Sequence, residues 1–99
     1  IYIKIDTEGY EFQVLEGGLQ FLSLNLDIII QLELNFSIEN VLNNNNIQNS
    51  IKLLTNLNYE PSIISNSQIK LLSEDELKDI ITNKISVELY FRKSNHKVI

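Results

Sequence analysis

Residues 1–18 read IYIKIDTEGYEFQVLEGG. Ile1, Tyr2, Ile3 and Ile5 make the first five positions apolar at all but Lys4, as in a strand buried on both faces of a parallel sheet. The run breaks at Asp6-Thr7-Glu8-Gly9, an acidic turn that Gly9 closes. A helix is then expected from about Tyr10 to Leu22, because Phe12, Leu15, Leu19 and Leu22 recur three or four apart on one face. Gly17 and Gly18 interrupt it, each costing roughly 1 kcal/mol relative to alanine, and mark either a close helix–sheet contact or a break. Strand, acidic turn and helix together are the first unit of an α/β repeat.

The rest of the chain continues that alternation. Residues 27–36 hold a second strand around Ile28-Ile29-Ile30, and the asparagine run at 43–46 reads as a loop. Ile47, Ile51, Leu54 and Leu57 draw a second amphipathic helix over 47–58. Tyr59-Glu60-Pro61 ends it, since proline cannot continue a helix and biases the residue before it to extended geometry. Residues 63–72 form a weaker extended segment. Ser73 and Glu76 then make an S-x-x-E capping box, with Leu72 and Leu77 placed as its hydrophobic staple, opening a short helix over 74–82. In 85–91, Ile85, Val87, Leu89 and Phe91 alternate with Ser86, Glu88 and Tyr90, which suits an antiparallel strand near the edge of the sheet. Strands alternating with helices build a mostly parallel sheet with helices on its faces. One domain is expected over 1–92, and 93–99 reads as a frayed tail.

Composition narrows the classes of function. At 99 residues the chain is one domain or part of one, and 43% apolar content is too high for a disordered segment. Its net charge of −5 argues against nucleic acid or an anionic membrane as partner, because both select basic surfaces. Cysteine is absent, which excludes disulfides, thiolate metal sites and cysteine nucleophiles. No apolar run approaches the ~18 residues of a membrane span, so a soluble, cytoplasmic protein is the default. The chain contains no methionine. With a strand opening at residue 1, a piece of a longer product is the expectation.

Three carboxylates stand out. In open α/β sheets ligands bind outside the carboxyl ends of the strands. Asp6 and Glu8 follow one strand and Glu33 lies near the end of the next, and neighbouring strands run ~4.8 Å apart. All three could therefore face one cleft, where a carboxylate serves as a general base. The plainer reading is that Asp6 or Glu8 caps the following helix by accepting backbone N–H bonds. The lone His96 lies in the tail and has no positioned partner in the sequence. Asn35-Phe36-Ser37 matches a glycosylation pattern, here read as chance. Tyr2 and Tyr10 flank the turn as packing residues. Gly9, Gly17 and Gly18 are the only glycines and cannot make a G-x-G-x-x-G nucleotide loop.

Ile3-Lys4-Ile5-Asp6-Thr7-Glu8-Gly9-Tyr10-Glu11, followed by Val14-Leu15-Glu16-Gly17, resembles the hallmark K-I-D-x-E-G-x-E segment and V-L-x-G helix of the FkbM methyltransferase family. Ile29-Ile30-Gln31-Leu32-Glu33 is similar to that family's next strand with its terminal glutamate, and Val87–Arg92 to its closing strand. Leu57-Asn58-Tyr59 stands where L-G-Y is usual. Asparagine also tolerates the left-handed conformation of a helix end.

The resemblance spans the C-terminal half of the family's domain. It implies a Rossmann-like fold that uses S-adenosylmethionine to methylate hydroxyl groups of sugars or natural products. The first strand would pair with a missing strand whose glycine-rich turn holds the cofactor. Asp6 and Glu8 would then be catalytic and Glu33 would bind the substrate, a small-molecule or glycan acceptor. Two rival readings are a truncated, non-catalytic binding or assembly module and a receiver-like α/β domain with an acidic cation pocket.

Overall fold

The computed structural model describes residues 1–24, 27–42 and 45–93; His96 and the rest of the expected tail beyond Lys93 lie outside them. Five strands form one sheet: β1 (Tyr2–Ile5), β2 (Ile29–Leu34), β3 (Tyr59–Ser65), β4 (Gln68–Leu71) and β5 (Val87–Lys93). Five helices accompany them: α1 (Glu11–Gly17), α2 (Leu19–Leu22), α3 (Phe36–Leu42), α4 (Asn46–Asn56) and α5 (Glu74–Thr82). Across the sheet the strand order is β1-β2-β5-β3-β4.

The expected mostly parallel sheet is instead mixed. Only β1 and β2 pair in parallel, whereas β2–β5, β5–β3 and β3–β4 are antiparallel. The last strand is antiparallel as expected, but it lies at the centre of the five. Its alternation has a different cause from an edge position. Leu89 and Phe91 are fully buried on the face where the helices pack, while Glu88, Tyr90 and Arg92 point to the other face. A central strand alternates when its two faces meet different surroundings. The strand also runs on through Lys93, so Lys93 belongs to the sheet and not to a tail.

One parity of residues makes the core. Ile5, Ile30, Leu32, Leu34, Leu89, Phe91 and Tyr59 of the strands join Leu15, Leu22, Phe36, Ile47, Ile51 and Leu54 of the helices in a single cluster. β1 follows the same rule: Ile5 is buried, while Tyr2 and Lys4 are exposed. Thus the continuous apolar run at 1–5 does not signal a strand covered on both faces among the described residues. Tyr59 is buried beneath α2 and its hydroxyl donates to the Leu22 carbonyl at 3.0 Å. Burial raises the Tyr59 pKa, which keeps the hydroxyl protonated as a donor.

The expected helix over 10–22 is two. The Gly18 N–H donates to the carbonyls of Val14 and Leu15, both at 3.1 Å, and α1 stops there before α2 restarts at Leu19. A Cβ on Gly17 would meet nothing within 4 Å, so the glycine pair marks a break and not a close helix–sheet contact. Asn58 has φ +68, the left-handed end of α4 that asparagine tolerates.

Pro61 does not itself end the helix: α4 stops at Asn56, and Pro61 sits within β3, paired with Phe91. Its carbonyl accepts the Leu72 N–H at 2.9 Å, which turns its nitrogen towards the end of β4. A missing donor costs little at the end of a ladder. The weak extended segment after it is a hairpin. Ser65 pairs with Gln68 across Asn66 and Ser67, whose φ of +52° and +64° give the two-residue turn that suits strand twist.

The capping box forms as the sequence implies. Ser73 Oγ accepts the Glu76 N–H at 3.1 Å and Glu76 Oε1 accepts the Ser73 N–H at 3.0 Å. That backbone bond, then Lys70 Nζ at 2.9 Å, then the Ser73 hydroxyl, lower the Glu76 pKa from 4.5 to about 2. A depressed folded pKa contributes stability above the unfolded value, and that stability is lost as the pH falls through the folded one. Glu76→Gln should therefore lower Tm at neutral pH. The gap to wild type should close between about pH 4.5 and pH 2, in melts of both proteins across that range. A gap independent of pH would show that the carboxylate charge contributes nothing.

Candidate active site

The parallel register pairs Ile5 with Leu32. Asp6 directly follows the last residue of β1, and Glu33 is the residue after Leu32 in β2. Both are exposed, as is Glu8. Glu33 is also directly opposite Glu88 of β5. A cleft of about 340 Å³ opens here, lined by Glu33, Leu34, Asn35, Ser86, Val87 and Glu88. Glu33 thus lines this cleft, whereas Asp6 and Glu8, expected to share one cleft with it, are not among its lining residues.

Neither Asp6 nor Glu8 caps α1. Among the described residues neither side chain makes a hydrogen bond, and the N-cap position is Tyr10, which supplies no side-chain bond. Asn46 takes that role from α4: its Oδ1 accepts the Phe12 N–H at 3.2 Å and its Nδ2 donates to Gln13 Oε1 at 2.8 Å. Glu39 of α3 in turn accepts the Ile47 N–H of α4 at 2.9 Å. Asn35 Oδ1 accepts the Ile38 N–H at 3.2 Å and so caps α3, a helix that the sequence reading did not anticipate. The residue that matched a glycosylation pattern is a helix cap.

The buried acid at the turn is Glu11, only 7% exposed. Its Oε2 accepts the Thr7 N–H and its Oε1 the Gly9 N–H, each at 3.1 Å. Between those two amides Glu8 adopts φ +52°, and Gly9 has φ +104°. The Thr7 hydroxyl is buried in the same turn with no hydrogen-bond partner among the described residues. Glu11 was legible as the last acid of D-x-E-G-x-E, but its role was not, because an acid in the first turn ordinarily serves its own helix.

In the sequence Glu88 stands only as the polar half of an alternation. Tyr2 Oη donates to Gln31 Oε1, Gln31 Nε2 donates to Glu88 Oε2 at 2.9 Å, and Tyr90 Oη donates to the same oxygen at 3.3 Å. Burial first, and the Glu88 charge second, raise the Tyr90 pKa and keep its hydroxyl a donor. This polar row crosses three strands on the face away from the core. Tyr2 is therefore a member of a hydrogen-bonded row and not only packing.

Among the described residues no group of three or more Asp, Glu or His side chains is placed to hold a metal ion. Nor do the three glycines cradle a nucleotide. A Cβ on Gly9 would lie 2.5 Å from Leu42 Cδ1 and 3.0 Å from Ile38 Cγ2, so that space is filled by α3; Gly17 faces open space, and Gly18 backs onto its own helix. Another groove of about 350 Å³, between α1 and α4, is mainly apolar and includes Phe12, Leu19, Leu53 and Leu57. It carries no carboxylate. No helix of the described residues is long and apolar enough to cross a membrane.

A mixed α/β sheet with helices stacked on it, and acidic residues grouped where parallel strands end, fits a methyltransferase-like domain. A family model described as the methyltransferase FkbM domain matches residues 1–99. The chain belongs to the FkbM methyltransferase family. No curated protein and no solved structure matches it.

Gly9 ties the turn to α3. Gly9→Ala would face a left-handed φ and the side chains of Leu42 and Ile38 together. The expected loss is about 1–3 kcal/mol, to be measured by urea denaturation. An unchanged midpoint would show that the turn can move away from α3 at no cost.

Proposed function

We propose that this chain carries the acceptor-activating part of an S-adenosylmethionine-dependent O-methyltransferase whose acceptor is a hydroxyl of a sugar or natural product. The observation that carries the reading is that Asp6 directly follows Ile5 at the end of β1, and that Ile5 pairs with Leu32, the residue before Glu33. Both carboxylates are exposed, and Asp6 is without an internal hydrogen bond among the described residues. Solvent-facing carboxylates on rigid strand ends are free to receive a ligand's donors.

The cofactor, when bound, supplies an electrophilic methyl carbon. Its nucleotide is assigned to residues other than Gly9, Gly17 and Gly18, since none of them forms a cradle. This chain's residues act on the acceptor. A carboxylate within ~3 Å of the acceptor hydroxyl takes its proton and makes the oxygen a better nucleophile. Asp6 and Glu8 are the candidates for that base. Glu33, on the wall of the cleft, orients the acceptor by accepting a hydrogen bond from a second hydroxyl. Fixing the acceptor between two strand ends supplies proximity as well as basicity.

Asp6→Asn and Glu8→Gln remove charge with almost no change of shape, so both should fold as wild type. If either is the base, its variant should lose about 10²–10⁴-fold in turnover. Glu33→Gln should act mainly on the acceptor KM. The measurement is transfer of labelled methyl from S-adenosylmethionine to an acceptor found by screening hydroxylated glycosides. Wild-type turnover in both Asp6→Asn and Glu8→Gln would sink the general-base role.

A further inference from the structure

We propose that Glu11 is a positioning residue for the site, a buried carboxylate that clasps the Asp6–Gly9 turn from within and so fixes where the candidate bases stand. The inference rests on the reading of Asp6 and Glu8 as the groups that act on the acceptor.

Three observations carry it. The carboxylate is nearly excluded from solvent, and a charge is retained there only if strong hydrogen bonds repay its lost hydration. Its two oxygens each accept one N–H, and both donors, Thr7 and Gly9, lie in the preceding turn. The helix makes no claim on it: the Phe12 N–H is taken by Asn46. An acid in the first turn usually satisfies its own helix, so the direction of these bonds sets Glu11 apart.

The clasp acts through the backbone. Thr7 and Gly9 flank Glu8, and holding both amides on one carboxylate keeps Glu8 in the left-handed conformation that a non-glycine residue otherwise avoids. Asp6 is held between that clasp and the last ladder pair, Ile5 with Leu32. On the far side Gly9 rests on Ile38 and Leu42, so the turn is gripped from both sides. A neutral glutamine cannot replace the carboxylate. It offers one acceptor oxygen, and its amide would meet the second backbone N–H donor to donor.

The test compares Glu11→Gln with Ser73→Ala in the full-length protein. The second variant removes a helix cap remote from the site and controls for a general loss of stability, which is read as Tm. Amide hydrogen exchange at Thr7 and Gly9 should quicken at least about tenfold in Glu11→Gln and stay unchanged in Ser73→Ala. Turnover should fall about 10²-fold in Glu11→Gln, with a smaller effect on the cofactor KM, while Ser73→Ala keeps its kcat. Unchanged exchange at Thr7 and Gly9 would overturn the clasp. Faster exchange with wild-type kcat and KM, or equal kcat losses in the two variants, would overturn the positioning role. Failure of the underlying reading looks different: Asp6→Asn and Glu8→Gln would be silent while Glu11→Gln still loosens the turn.

Discussion

The row Ile5–Leu32–Leu89 is the constraint on which the rest of the structure depends. Leu32 pairs with Ile5 in parallel on one side and with Leu89 antiparallel on the other, and all three are buried. Side chains alternate with a period of two, so a slip of one residue would move every buried group to the opposite face. The register is therefore set by the core. The next pair, where Glu33 meets Glu88, follows as a consequence, as does the place of Asp6 directly after Ile5. The acids stand at the strand ends because the leucines and isoleucines one step back cannot be anywhere else.

Around that row the helices hold one another by their ends. Asn35 caps α3, Glu39 of α3 caps α4, Asn46 of α4 caps α1, and Leu42 and Ile38 of α3 fill the space at Gly9. The chain of contacts closes on the turn that carries Asp6 and Glu8. Each helix leaves backbone N–H groups unsatisfied at its start. Supplying the acceptor from a neighbouring helix fixes the relative position of two elements as well as the end of one. Short helices such as α1 and α3 are marginal alone, and this arrangement makes them depend on each other.

The polar face follows a different logic. Glu33 and Glu88 are directly opposed like charges, a pairing that destabilises a sheet. Glu88 is compensated by Gln31 and Tyr90, whereas Glu33 is left to solvent at the cleft. A sheet optimised only for stability would place an apolar or opposite-charge pair there. Departures from local consistency of this sort are expected at functional positions, and here the departure falls where the strands' carboxyl ends open to ligand.

Much of the fold is legible in residues 1–99 because it rests on local physics. The apolar runs mark β1 and β2, the three- and four-residue spacing marks α4, and Ser73 with Glu76 announces α5 before any partner is known. The acids Asp6, Glu8 and Glu33 are visible as strand-end carboxylates, and D-x-E-G-x-E carries the family. The remainder depends on which distant residues meet. The central place of β5 is a matter of strand order, and an alternating sequence cannot distinguish an edge from two unlike faces. The Asn66-Ser67 turn lacks the glycine that marks most such hairpins. Helix α3 is announced only by an asparagine cap whose use shows in its bond to Ile38. Glu11 is the sharpest case. Its identity and place in the first turn are local, but the direction of its bonds is settled by Asn46, thirty-five residues further along the chain, which takes the helix N–H and leaves the buried carboxylate to the turn.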